Sequence, residues 1–260
     1  MNVARSARLL HVMAMRLIDQ PSPNHDARPE GARIDMVVVH YTGMQTAQAA
    51  LKRLCEAASK VSAHYLIDED GTLYRLVADE RRAWHAGVSS WAGSSEVNSR
   101  SIGIELVNPG HEFGYRPFPE PQMRALLKLL NEITRRHNIA PARIVGHSDV
   151  APERKEDPGE LFDWARLAKA GFGLWPEDGF MSKAGGGAMP AGPELQRALG
   201  EIGYGIAEDN KSEARLAAAI SAFQRHFRPG HVDGAADWET ARLILHLAER
   251  ARLDRRGAKA

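Results

Sequence analysis

The segment Ile34-Asp35-Met36-Val37-Val38-Val39-His40 is the clearest indication of how this chain folds. An apolar run rich in β-branched residues predicts a buried β-strand. His40 ends the run, so we expect its imidazole at the rim of a sheet, where open α/β sheets place their ligand crevices. The alternative is a histidine that is satisfied by hydrogen bonds in the core, and for His40 taken alone neither interpretation is preferred.

The segments around this strand predict an α/β fold, in which a mixed β-sheet is flanked by helices. Strands and helices alternate along the chain, and this order is typical of a sheet with helices on both faces. Asp70-Gly71 is a hairpin signal between two of the strands, and the long helix has apolar residues at helical spacing on one face. The predicted strands are 34–40, 63–67, 72–77, 101–107 and 144–147, and the predicted helices are about 46–58, 120–137 and a short one from Asp163 to Gly171.

Composition limits the class of protein. The 260 residues are 43% apolar, which is enough for one α/β core and a small second unit. A formal net charge of +1 gives no strong attraction to nucleic acid, so no such partner is expected. Cys55 is the sole cysteine, which excludes an internal disulfide, and we interpret it as a core residue of a helix. The chain has no apolar stretch long enough to cross a membrane.

A loop rich in Gly, Pro and charge carries the most informative side chains, and it runs from Gly146 to Gly159. It holds an imidazole, His147, and a carboxylate, Asp157, with the ammonium group of Lys155 two residues before the carboxylate. A catalytic zinc ion accepts nitrogen and oxygen ligands of this kind from three residues and leaves one position for water. Two ligands from one loop cannot hold the metal alone, and His40 is the best candidate for the third.

Glu105 is a carboxylate inside the otherwise apolar strand Ser101–Val107. Desolvation of a carboxylate is costly, so Glu105 should be paired, have a raised pKa or face a polar cleft. Perturbed carboxylates in clefts are candidates for a general base. The alternative is an edge-strand glutamate that points to solvent, and for this residue alone that interpretation is preferred.

Five motifs gain specificity from their order in the chain. They are Val37-Val38-Val39-His40-Tyr41-Thr42, Ser62-Ala63-His64-Tyr65-Leu66-Ile67, Ala83-Trp84-His85-Ala86-Gly87, Ser101-Ile102-Gly103-Ile104-Glu105-Leu106, and the loop from Gly146-His147 to Asp157-Pro158-Gly159. Together they resemble the zinc-dependent N-acetylmuramoyl-L-alanine amidases, the phage-lysozyme-like peptidoglycan amidases of the AmiD and AmpD types. The resemblance covers roughly residues 16 to 176 and continues into the C-terminal part.

The resemblance implies a role for five residues. His40, His147 and Asp157 match the family's three zinc ligands, Glu105 matches the glutamate that activates the zinc-bound water, and Lys155 matches the lysine that stabilises the oxyanion. The implied reaction is hydrolysis of the amide between N-acetylmuramic acid, in its ordinary or 1,6-anhydro form, and the L-alanine of the stem peptide. The implied cofactor is one Zn²⁺, and the implied substrate is peptidoglycan or a muropeptide.

Four further residues are candidates for contact with substrate: Tyr41, His64, Trp84 and His85. An exposed tryptophan such as Trp84 commonly stacks on sugar or peptide, although it can equally be a packed anchor of its loop. Tyr41 follows a predicted ligand in the chain. His64 has a counterpart in the family, and we assign it no role beyond the shape of the groove. Weaker candidates for contact with substrate carboxylates or sugars are Arg75, Asn98 and Arg100.

The composition changes near residue 182. Residues 182–193 are rich in Gly, Ala and Pro and predict a linker. They would join a zinc amidase domain at 16–181 to a small all-α three-helix domain at 194–253. The predicted helices are Glu194–Ile202, Ser212–Phe227 and Trp238–Arg252. This region resembles a peptidoglycan-binding module, and the alternative is a structural cap on the catalytic domain.

The rival function of another class is a peptidoglycan-binding protein on the same fold without catalysis. Such proteins typically lack a zinc ligand, whereas here all three positions are filled, so the enzyme is preferred. We expect a monomer. The apolar stretch at 9–15 is short and lacks a small-residue cleavage site, and no cysteine suited to a lipid anchor follows it. The cytoplasm is therefore expected, with the periplasm or cell envelope as the alternative.

Overall fold

The computed structural model describes residues 16–177, 179–180, 189–206 and 213–257. The apolar stretch at 9–15 and most of the predicted linker lie outside these described residues.

A mixed six-stranded sheet forms the centre of the fold, as the sequence predicted. Its strand order is β1-β5-β4-β7-β3-β8, and β2 and β6 form a separate antiparallel pair. The strands β3, β7 and β8 are parallel to one another, while β4 and β5 form the antiparallel hairpin predicted at Asp70-Gly71. The strand bounds are β1 Leu17–Asp19, β2 His25–Ala27, β3 Met36–Tyr41, β4 Tyr65–Ile67, β5 Leu73–Arg75, β6 Arg81–Ala83, β7 Ser101–Leu106 and β8 Ile144–Gly146.

The three helices predicted for the catalytic region are present, and three short helices that were not predicted accompany them. The long helix begins and ends at the predicted residues, 120 and 137, because Pro121 suits a first turn and Asn138 adopts the left-handed conformation that ends a helix. Thr46 caps the helix that begins at Ala47 by accepting from the Ala49 amide. The bounds are α1 Ala47–Cys55, α2 Val97–Arg100, α3 Gly110–Phe113, α4 Glu120–His137, α5 His147–Val150 and α6 Trp164–Lys169.

Three further helices lie in the C-terminal region, and their bounds differ from the prediction at the start of the first and at the end of the last. Ser212, the predicted start of the second, lies outside the described residues. They are α7 Gly192–Ile202, α8 Glu213–Phe227 and α9 Trp238–Gly257. Gly192 and Pro193, which we expected in the linker, form the first turn of α7, where the missing N–H of proline costs nothing. The last helix continues beyond Arg252 to Gly257.

Alternation along β3 divides the core into two layers. Val37 and Val39 pack with α4 on one face of the sheet. Met36 and Val38 point to the other face and join a cluster that includes residues of α7, α8 and α9, such as Leu199. The C-terminal helices therefore cover part of the sheet and share a hydrophobic core with it.

The same opposite face also carries α1, which packs near Leu66 of β4. Cys55 lies at the end of this helix, is partly buried, and packs against the α1 cluster. Among the described residues, no helix is both long and apolar enough to cross a membrane.

Candidate active site

Three polar side chains converge at one edge of the sheet. Nδ1 of His40 lies 2.9 Å from Nδ1 of His147 and 3.1 Å from Oδ2 of Asp157, and the distance from His147 Nδ1 to that oxygen is 3.0 Å. All three residues are buried. Two imidazole nitrogens and a carboxylate oxygen that face one point are the donor set of a metal site.

The topology explains why these residues meet. His40 lies near the end of β3, and His147 follows β8, which pairs in parallel with β3. The carboxyl ends of parallel strands share one edge of a sheet, so both histidines reach the same edge. A backbone hydrogen bond holds Asp157 beside His147, because the Asp157 carbonyl accepts from the Ser148 amide at 2.8 Å.

The electrostatics of the cluster suit a cation. Burial, and next the neighbouring His147, lower the pKa of His40 to about 4, so this imidazole is neutral at pH 7, as a ligand must be. Burial alone would raise the pKa of Asp157, but the charge and hydrogen bond of His147 and the contact with His40 outweigh it and hold that pKa below its usual range. The residues present therefore fit a zinc ion.

Glu105 lies beside the cluster, with Cα in register with that of His40 on the neighbouring strand. The alternative of an edge strand is wrong, because β7 lies between β4 and β3. Burial, and then the charge of Asp157, raise the pKa of Glu105 well above its usual value, while Lys155 lowers it. Within the described part of the chain, its Oε2 is buried without a hydrogen-bond partner.

A cavity of about 390 Å³ opens over these groups. Of the residues that the sequence singled out, its walls include Tyr41, Trp84, His85, Glu105, His147, Lys155 and Asp157. Tyr41 and Trp84 are half-buried, so each presents part of its ring to the cavity.

His64 does not line this cavity. Its side chain is fully buried, its Nδ1 accepts from the Gly103 amide at 2.9 Å, and its Nε2 lies 3.0 Å from Arg28 Nη2. Burial lowers its pKa to about 3. His64 therefore lies outside the wall of the cavity, and Arg28 is a neighbour that sequence reasoning missed.

The weaker candidates also lie elsewhere. Arg75 pairs with Asp19, and Arg100 pairs with Asp35. Asn98 acts on the backbone, because its Oδ1 accepts from the amides of His85 and Ala86. None of these three residues lies in the wall of the cavity.

His85 has a second function besides lining the cavity. Its Nδ1 lies 3.0 Å from Nε2 of His40, and its Nε2 lies 3.1 Å from Oγ of Ser101, which donates to the Val97 carbonyl at 2.6 Å. A carbonyl only accepts, so the hydroxyl proton points to Val97 and Ser101 accepts from His85 Nε2–H. His85 Nδ1 then accepts from His40 Nε2–H, which leaves the lone pair of His40 Nδ1 directed at the metal point.

The space for this ring comes from Gly103. A Cβ atom at that position would lie 2.4 Å from the His85 ring, so any larger residue would displace it. Glycine inside a strand is the signal that could have indicated this close approach. The role of Ser101 had no such signal, because a serine at the start of a strand is common.

Two imidazoles and a carboxylate that could hold a metal ion lie at the edge of a mixed sheet, next to a glutamate whose Oε2 is buried without a hydrogen-bond partner among the described residues, and this is the arrangement of a hydrolase site. The family model for N-acetylmuramoyl-L-alanine amidases matches residues 30–160, and a model for a peptidoglycan binding domain matches residues 192–244. The chain belongs to the N-acetylmuramoyl-L-alanine amidase family and carries a C-terminal module of the peptidoglycan-binding kind.

Similar proteins support this membership. The chain is 36% identical to the N-acetylmuramoyl-L-alanine amidase AmiD of Escherichia coli K12 over 234 residues, which are 84% of this chain and 83% of that one. It is also 36% identical to the 1,6-anhydro-N-acetylmuramyl-L-alanine amidase AmpD of Enterobacter cloacae, over 56% of this chain and 86% of the relative.

Solved structures agree with the sequences. The Escherichia coli AmiD complex with anhydro-N-acetylmuramic acid-L-Ala-D-gamma-Glu-L-Lys superposes with a TM-score of 0.75 at 33% identity, over 85% of this chain and 92% of that one. AmpDh3 of Pseudomonas aeruginosa in complex with an anhydromuramic pentapeptide also gives a TM-score of 0.75, at 36% identity, over 85% and 94% of the two chains.

Proposed function

We propose that this family member holds one catalytic Zn²⁺ and hydrolyses the amide between the lactyl group of N-acetylmuramic acid and the L-alanine of a stem peptide. The observation that carries the proposal is the convergence of His40, His147 and Asp157 beside the unpaired Oε2 of Glu105. The amidase relatives support the choice of bond.

The three converging residues would be the zinc ligands. When bound, zinc lowers the pKa of a coordinated water to about 7 and polarises a carbonyl. The protein contributes a buried, preorganised donor set, with the His40 ring oriented through His85 and Ser101.

Glu105 would be the general base. Its raised pKa suits a carboxyl that takes a proton from the attacking water and then returns it to the nitrogen of the leaving amine. Its position in a central strand limits its movement during these two transfers.

Lys155 would stabilise the oxyanion that forms on the carbonyl carbon. Its side chain is in the wall of the cavity and close enough to lower the pKa of Glu105. Loss of one such donor costs about 3 kcal/mol of transition-state stabilisation in comparable sites.

The substrate would be a muropeptide with either form of the sugar. Anhydromuramyl peptides occupy two of the similar structures, and the half-buried ring of Trp84 offers a surface on which a sugar or peptide can stack. Assays of one preparation on 1,6-anhydro and ordinary muropeptides test this, since we expect cleavage of both. Cleavage of the anhydro form alone would instead favour a recycling enzyme of the cytoplasm, the compartment expected from the sequence.

The test of the reaction is release of N-acetylmuramic acid and free stem peptide from a purified muropeptide. We expect release by the metal-loaded protein and none after chelation. A protein that binds peptidoglycan without catalysis would bind the muropeptide and release nothing, and this result would contradict the proposal.

The C-terminal helices would also contact the cell wall. Because they share a core with the sheet, the full chain is the right protein for this test. We expect soluble peptidoglycan fragments to slow amide hydrogen exchange in residues 192–257 as well as around the cavity of a Glu105→Gln variant. Protection around the cavity alone would show that these helices are a structural cap.

A further inference from the structure

A further buried carboxylate, Asp149, lies where the C-terminal region meets the catalytic region. Its Oδ1 accepts from the Tyr204 hydroxyl at 2.7 Å, and its Oδ2 accepts from the Gly146 amide at 2.7 Å. Nδ1 of His226 lies 2.7 Å from the same Oδ2 and donates to it. Of these three donors, Tyr204 follows helix α7 and His226 lies in helix α8, so most of the hydrogen bonding to this carboxylate crosses between the C-terminal and catalytic regions.

The two donors from the C-terminal region are held firmly by packing. The His226 ring stacks on Trp164, with ring centroids 3.8 Å apart, and on Phe227 at 4.0 Å. Tyr204 is buried and packs edge-on against Trp91. Rings fixed in this way place their donor atoms with little freedom, so they determine where the Asp149 carboxylate lies.

Asp149 belongs to the helix that carries a metal ligand. Helix α5 consists of His147–Val150, a single turn, and a helix this short is not stable without tertiary contacts. Through its Oδ2, Asp149 also holds the amide of Gly146, the residue directly before His147. Ser148 in the same turn donates to the carbonyl of Asp157. The contacts of Asp149 therefore fix the backbone that presents two of the three proposed ligands.

We propose that Tyr204 and His226 are positioning residues of the metal site, which act through Asp149 on His147. The C-terminal module then has a function besides contact with the cell wall, since it completes the scaffold that orients a ligand. This inference rests on the proposed metal site. Thermodynamic linkage requires the reverse effect as well, so a bound metal stabilises the docked helix α8.

The test measures zinc affinity by competition with a chelator, in full-length variants whose folding is checked by circular dichroism. Tyr204→Phe with His226→Leu leaves Asp149 with the Gly146 amide. We expect this double variant to bind zinc about 10-fold more weakly, as is typical when partners of metal ligands are lost. In chains that keep Tyr204, the variants His226→Leu and His226→Asn are compared. The asparagine keeps a donor near the position of Nδ1, so His226→Asn should bind zinc more tightly than His226→Leu.

The matched control is Gln224→Leu. Gln224 lies two residues from His226, is fully buried, and holds the amides of Asp233 and Gly234 within the module. It should lower the melting temperature without weakening zinc binding. Equal affinity in the parent and in the double variant, or equal loss in the Gln224 variant, would overturn the inference. If the double variant does not fold, Tyr204→Phe alone keeps the ring and decides the same question.

The reverse effect gives an independent readout. We expect zinc to slow amide hydrogen exchange in α8, measured on the parent with and without metal, and to slow it less in Tyr204→Phe. Identical exchange with and without metal would contradict the coupling. If the parent binds no zinc at all, the proposed function is contradicted. If every variant binds zinc as tightly as the parent, only the coupling through Asp149 is contradicted.

Discussion

Glu105 and His40 are register partners on the adjacent parallel strands β7 and β3, and their side chains point to the same face of the sheet. Backbone hydrogen bonds of the sheet therefore set the distance between a proposed metal ligand and the proposed base. This arrangement explains how the Glu105 carboxylate, whose Oε2 is buried without a hydrogen-bond partner among the described residues, is still placed accurately.

Removal of the base tests this relationship. Glu105→Gln keeps the size of the side chain and leaves the three ligands intact, but amide oxygen and nitrogen cannot take the proton of the attacking water. We expect full zinc content and a turnover number lower by a factor of about 10² to 10⁴. Hydrolysis of a soluble muropeptide and metal analysis measure the two quantities. Glu132→Gln, on the exposed side of α4, is the control, and near-normal turnover of the Glu105 variant would remove it from the mechanism.

Loss of a ligand should have a different signature. His147→Ala removes one of three converging donors, so we expect the purified variant to contain little zinc and to release no product. The control is His231→Ala, because His231 is an exposed histidine. Chelation of the parent should abolish activity, and added zinc should restore it. One equivalent of tightly held zinc in the His147 variant would argue against this set of ligands.

The hydrogen-bond chain behind His40 predicts a graded effect on metal affinity. His85→Ala breaks the contact that orients His40, and we expect zinc to bind about 10-fold more weakly. Ser101→Ala should have a smaller effect in the same direction, because His85 then loses the acceptor of its Nε2–H. Ser99→Ala is a matched control two residues away, since its hydroxyl bonds Glu96 instead. Chelator competition measures all three, and an unchanged affinity of His85→Ala would exclude the positioning role.

Asp79 gives a prediction about stability and pH. Its buried carboxyl contacts Tyr65, His137 and Arg136. Burial by itself raises the pKa of Asp79, but the hydrogen bonds from His137 and Tyr65 and the charge of Arg136 outweigh it, so the pKa lies below 3.8. Because the pKa of Asp79 is lower in the folded chain than in the unfolded chain, its charged carboxylate stabilises the folded state at pH values above the unfolded pKa. This contribution is lost as the pH falls through the folded pKa.

We therefore expect Asp79→Asn to lower the free energy of unfolding at pH 7 by about 1–3 kcal/mol, the cost of buried polar groups left with a poorer partner. The difference in melting temperature between parent and variant should shrink as the pH falls below about 3.8. Thermal unfolding at several pH values measures it. A difference that stays constant down to acid pH would show that the charge of Asp79 does not stabilise the fold.

Local pattern was enough for much of the fold and of the proposed site. The apolar run before His40 predicted β3, and the helical spacing between residues 120 and 137 predicted α4 with its observed bounds. The three proposed ligands were found because metal ligands must be particular residue types and because the motifs occur in a specific order. Glu105 was noticed since a carboxylate in an apolar strand is costly.

Other features depend on contacts between residues far apart in the chain. The sequence placed His64 in the substrate groove, but its neighbour Arg28 and the Gly103 amide enclose it. It also allowed Glu105 on an edge strand, because strand order is a property of the whole sheet and not of any one strand.

By itself, then, the sequence determined the main elements of the sheet and its long helix, the proposed donor residues and the family, since these follow from periodicity, residue chemistry and motif order. Tertiary structure alone decided which face of the sheet the C-terminal helices cover and that Tyr204 and His226 reach Asp149. The physical reason is that burial and hydrogen-bond partners are fixed by packing between distant segments. No local pattern specifies which of two equally apolar sheet faces a helix will cover.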